Sequence, residues 1–102
     1  MPEMLVTQLL KLSEPMAALS TAHLTPRTRR RLADNQLSVH AYPNDYGGFV
    51  HVGDSPEIVP TEVDLALIFG IARRARLVWL KFDGDAGVVD GLPTYDDEGP
   101  AP

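Results

Sequence analysis

The sequence predicts an α+β fold. A two-layer sandwich is expected, with a four-stranded, mainly antiparallel sheet carrying two helices on one face, in the order β-α-β-β-α-β behind a short N-terminal helical arm. Three observations carry this expectation. Residues 37–52 read as two strands folded back on each other through the turn Pro43-Asn44-Asp45-Tyr46-Gly47-Gly48. Thr25-Pro26 places a capping hydroxyl just before a proline, the pairing that opens a helix. Residues 62–75 are apolar almost all round and end in Arg73, Arg74 and Arg76, as a buried helix does whose C-terminal dipole accepts cations.

Taken in order, Leu5, Leu9 and Leu12 recur at one-face helical spacing, and Pro15 stops the arm. The arm is expected to be either a lid over exposed core or a contact for a second copy or partner. Residues 17–22 alternate as a half-buried first strand. The helix opened by Thr25 should run to about Asn35 with Leu24, Thr28 and Leu32 inward. In the hairpin, Tyr42 should face Phe49, Ala41 should face Val50 and His40 should face His51. Leu37, Val39, Ala41, Val50 and Val52 then share the core face, while His40, Tyr42, Phe49 and His51 share the other. Thr61 and Asp64 match a capping box, and Gly70 inside the second helix suggests close approach to a strand. Residues 77–82 form the last strand. Beyond the Asp83-Gly84-Asp85 break, only Leu92-Pro93-Thr94-Tyr95 looks able to dock.

Length allows one domain, residues 1–95 with the arm at 1–15, followed by an acidic tail at 96–102 expected to be mobile. The net charge of −5 is unevenly placed. Residues 83–102 carry six acids and no base, whereas residues 1–82 hold nine bases and eight acids. A nucleic-acid binder shows the opposite balance, so direct nucleic-acid binding is not expected. No cysteine is present, which excludes disulfides and thiolate metal sites. No apolar run is long enough for a membrane span, and no leader pattern opens the chain, so a cytoplasmic location is expected.

The chain carries no catalytic signature, and neither a cofactor nor a metal is expected. His40 and His51 across a strand pair, with His23 as a third nitrogen, would suit a metal, but no acidic ligand accompanies them, and a polar or interfacial pair is the better reading. Ser20-Thr21-Ala22-His23 sets hydroxyls beside an imidazole, yet adjacency supplies neither an oriented base nor an oxyanion hole. A strand-end turn bonded to backbone is expected there. Arg27, Arg29, Arg30 and Arg31 form a candidate anion-binding patch or a solvated basic face. The outer sheet face, with Tyr42, Phe49, Trp79, His40 and His51, has the aromatic character of a partner-binding surface. Tyr46 at the hairpin tip and Asp96, Asp97 and Glu98 in the tail complete the candidate partner-binding set.

Four segments in order, Ser20-Thr21-Ala22-His23-Leu24, Asp45-Tyr46-Gly47-Gly48-Phe49-Val50, Phe82-Asp83-Gly84-Asp85 and Leu92-Pro93-Thr94-Tyr95, resemble a small bacterial family of unknown function. Its members are carried on plasmids and prophages, often among anti-restriction and other anti-defence genes. The resemblance covers residues 17–95 and brings no catalytic residue with it. It implies a non-enzymatic interaction protein of a mobile element that inhibits a Cas or restriction complex by blocking its nucleic-acid or subunit surface. A homodimer is compatible with this reading. The acids of the tail and Asp54, Glu57, Glu62 and Asp64 would then engage a basic groove. Two alternatives stand beside it: a small histidine-dependent, metal-assisted hydrolase using His23, His40 and His51, and a nucleic-acid-binding regulator using Arg27 to Arg31.

Overall fold

A computed structural model describes residues 2–53, 55 and 57–95. The fold is α+β, a four-stranded mixed sheet with three helices. Helix α1 (Glu3–Leu12) precedes strand β1 (Met16–Leu19) and a 3₁₀ turn (Thr21–His23). Helix α2 (Pro26–Ala33), the hairpin strands β2 (Ala41–Asn44) and β3 (Gly47–His51), helix α3 (Val63–Arg74) and strand β4 (Trp79–Asp83) follow. The strands lie in the order β1-β4-β3-β2. β1 runs parallel to β4, and the other two pairings are antiparallel.

Period-2 alternation sends Leu19, Ala41, Val50, Leu80 and Phe82 to one face, where they join Leu32 of α2 and Leu65, Ile68, Phe69 and Ala72 of α3 in one core. The expected hairpin register holds: Tyr42 pairs with Phe49 and Ala41 with Val50, and the His51 amide donates to the His40 carbonyl at 3.0 Å. Pairing continues further than expected, through Pro43 with Gly48 and Asn44 with Gly47. The loop is therefore Asp45-Tyr46, closed by the Tyr46 amide donating to Asn44 Oδ1 at 2.8 Å. Pro43 is tolerated because β2 is an edge strand. Gly47, at φ 149°, has no room for a side chain, since a methyl group there would overlap the Phe82 carbonyl.

Helix α2 starts as predicted, with Thr25 Oγ1 accepting from the Thr28 amide and Pro26 in the first turn. It ends through Asn35 at φ 54°, with the Gln36 amide donating back to the Arg31 carbonyl. Arg76, at φ 62°, ends α3 in the same way. The first strand is shorter than expected, because Ser20 Oγ accepts from the Ala22 amide and turns the chain into the 3₁₀ turn.

Three expectations about the helices fail. Thr61 does not cap α3, whose N-cap is Glu62 without a side-chain bond; Asp64 instead reaches across to α2. Gly70 has nothing within 4 Å of where a Cβ would sit, so it marks no close approach to a strand. α3 is not buried all round either: Val63 is 84% exposed, and Leu67 and Ile71 also face outward. The arm forms no lid, since α1 buries none of its side chains. No described helix is long and apolar enough to cross a membrane.

Candidate functional site

The outer face of the sheet is built by the residues that alternate away from the core. Phe49 lies between Tyr42 and Lys81 in the register, and Trp79 lies between His51 and Met16. The Trp79 ring sits 4.6 Å from His51 and 6.1 Å from Tyr42, and Tyr42 is 6.3 Å from His40. Lys81 Nζ stands 6.0 Å from the Phe49 centroid, within cation–π range, and 3.8 Å from Asp83. Met16, Tyr42, Phe49 and Trp79 line a shallow depression of about 370 Å³. Tyr42 is 56% exposed and Met16 is also open. Sequence reasoning missed Glu14, whose Oε1 accepts from Trp79 Nε1 at 2.8 Å and fixes the indole at the edge of this face. A lone acid before a proline gives no signal for such a bond.

A second site forms where the four family-like segments meet at one end of the sheet. His23 is 1% exposed, and both ring nitrogens are engaged. Nδ1 lies 2.8 Å from the Pro93 carbonyl, and Nε2 accepts the Val89 amide at 2.9 Å. A carbonyl can only accept and an amide can only donate, so the network places the ring proton on Nδ1. The Tyr95 amide donates to the Ala22 carbonyl, and Gly84 donates to the Tyr46 carbonyl. Arg29 donates from Nε to the Thr21 carbonyl and from a terminal nitrogen to the Tyr95 carbonyl. Leu92 packs on the core, so the docking expected of residues 92–95 occurs. These groups surround a polar cleft of about 630 Å³ lined by Ser20, Thr21, Arg29 and Thr94 among others. With both nitrogens of His23 in use, neither is free to act as a base or metal ligand.

The predicted arginine patch is divided. Arg29 faces the cleft just described, and Arg31 Nε donates to Glu62 at 3.1 Å, while Arg27 and Arg30 are exposed. Glu62 also accepts from the Ser38 amide and hydroxyl. Burial pushes its carboxyl up, but the Ser38 bonds, its own amide and Arg31 together hold it below the ordinary value of 4.5. Asp64 accepts from the Thr25 amide at 2.8 Å and the Thr28 hydroxyl at 2.9 Å. Both carboxylates are buried and bind the two helices together, so they are not available to a basic groove as anticipated. Glu57 is exposed, whereas Asp54, Asp96, Asp97 and Glu98 lie outside the described residues. Tyr46 is exposed at the hairpin tip, away from the aromatic depression. Among the described residues no three of the metal-ligating types converge, so His23, His40 and His51 are not brought together.

No curated protein and no solved structure matches the chain. A family model does match residues 16–97, so it takes in the whole sheet and leaves α1 outside. The segments that close the polar cleft all fall within that match. The chain therefore belongs to the family of unknown function DUF5983, matched through that family's C-terminal domain.

Proposed function

We propose that this chain is a non-enzymatic interaction protein that binds another protein through the outer aromatic face. The observation that carries this reading is the depression of Met16, Tyr42, Phe49 and Trp79, an apolar surface that nothing in the described chain covers. Aromatic side chains with polar tips supply large contact area at small entropic loss, which suits a binding hot spot. Among the described residues Lys81 is the one lysine or arginine on this face, and it is shared with Asp83, while the chain as a whole is at −5. A protein surface fits that charge better than a phosphate backbone.

The family resemblance sharpens the partner. A bacterial mobile element confronting host defence makes a Cas or restriction subunit the partner to try first, with the chain occupying its nucleic-acid or subunit surface. The test is the plating efficiency of a targeted phage on cells with an active defence system, several types in parallel, with and without this chain. Rescue in one type that is lost with Tyr42→Ala and Phe49→Ala together is the expected result. Absence of rescue in every type would remove the anti-defence role. Rescue that survives both substitutions would remove the aromatic face.

A further inference from the structure

We infer that helix α1 of one copy docks into an apolar groove of a second copy, so that two chains exchange arms reciprocally. The helix shows Leu5, Leu9 and Leu12 on one side with Val6 and Leu10 beside them, and all five are exposed, Leu9 at 69% and Leu12 at 76%. An amphipathic helix left this way needs an apolar receiver. The same chain carries one: a groove of about 380 Å³ between β1, α3 and residues 89–92. Its walls include Ala17, Leu19, Ile71, Ala72, Ala75 and Leu77, and the small alanines let a helix backbone come close. Asp90 is the one charged residue in that lining among the described residues, and it meets Lys11 in the last turn of an incoming arm.

The arm is held away from its own groove. Ser13 closes α1, its amide and hydroxyl both donating to the Leu10 carbonyl, and then runs extended at ψ 149°. The Pro15 carbonyl accepts from the Val78 and Trp79 amides, and Glu14 is drawn to Trp79 on the outer face. The groove opens on the opposite, helix-bearing face. Every residue of the three-residue connection is thus engaged, and folding back would break those bonds. A ten-residue helix is ~15 Å long and ~10 Å wide, so two seated arms with their grooves cover on the order of 1,000 Å², near the lower bound for a specific interface.

The chain has no cysteine, which permits a direct test on this chain of residues 1–102. Leu9→Cys and Ala75→Cys are combined in one chain and oxidised at several protein concentrations, alongside sedimentation of the parent. Arm exchange predicts a concentration-dependent dimer and a covalent dimer linking residue 9 of one chain to residue 75 of the other. Leu9→Asp is expected to raise the dimer dissociation constant about tenfold or more. Leu12→Asp, at another exposed position, is expected to do the same, with the circular dichroism spectrum of each variant unchanged. A disulfide closed within one chain would overturn the proposal in favour of self-docking. A parent that stays monomeric, or a dimer linked only through residue 9 to residue 9, would overturn it as well.

Discussion

The cleft at the end of the sheet and the outer aromatic face are built from the same strands but by opposite means. At the cleft, nearly every polar group the segments bring is answered: His23 by Pro93 and Val89, Arg29 by Thr21 and Tyr95, Gly84 by Tyr46. On the aromatic face, rings stand 4.6–6.3 Å apart with little beyond Glu14 to fix them, and their outer surfaces are open. The segments that carry the family resemblance therefore mostly close the fold, by tying residues 88–95 back across the 3₁₀ turn. Of the face residues, only Phe49 falls within those segments, and Tyr42, His51 and Trp79 do not. The resembling segments thus serve mainly the architecture, and the proposed partner contact would fall to side chains that the architecture merely displays.

If that contrast is right, the largest effect on stability belongs to His23. His23→Ala removes the ring to which the part-buried Pro93 carbonyl and Val89 amide bond and opens a cavity where a side chain 1% exposed stood, together worth about 2–3 kcal/mol. Chemical denaturation should show the midpoint falling accordingly, and amide exchange should show residues 88–95 losing protection first. A change below about 1 kcal/mol would mean the segment is held mainly by Leu92, Arg29 and the Tyr95–Ala22 backbone bond. His23→Asn sharpens the test, because an amide can offer a donor and an acceptor in a smaller frame and should recover part of the loss.

Much of the fold was legible because period and punctuation agree in this chain. Thr25-Pro26 leaves one way to start a helix, and the alternation of residues 37–52 leaves one register, because a one-residue slip would send Val50 to solvent. What was illegible is non-local. Asp64 sits where a capping box places an acid, but the nearer unsatisfied donor is the Thr25 amide, 39 positions away in sequence. The apolar circumference of α3 predicts burial, yet two helices and one sheet face cannot cover all of it, and Leu67 and Ile71 stay outside. The aromatic face was readable from alternation alone. The polar cleft was not, because adjacency of Ser20, Thr21 and His23 says nothing about a chain that returns some 70 residues later.

A smaller effect is expected at Glu62, which joins the two helices rather than the sheet end. Its folded carboxyl titrates below 4.5, so its charged bonds stabilise the fold above that pH and are lost as pH falls through the lowered value. Glu62→Gln should reduce stability at neutral pH by about 1–2 kcal/mol, since bonds to a charged acceptor are replaced by weaker ones. The gap between parent and variant should close as the solution is acidified, which thermal melts across the acid range would follow. A gap of constant size would show that Arg31 and Ser38 hold this position equally well without the charge.

The smallest effect on stability, and the one that separates the two regions most sharply, belongs to Tyr42. Its ring is more than half exposed and makes only tilted contacts at 6.1 and 6.3 Å, so Tyr42→Ser should change stability by no more than about 0.5 kcal/mol. Backbone pairing of Tyr42 with Phe49 survives the substitution, because the ladder uses main-chain groups only. A loss of several times that size would mean that the aromatic rings are part of the fold's own support, as His23 is. A near-zero change would show that the fold does not need this ring, which leaves it available for the partner contact proposed for this face.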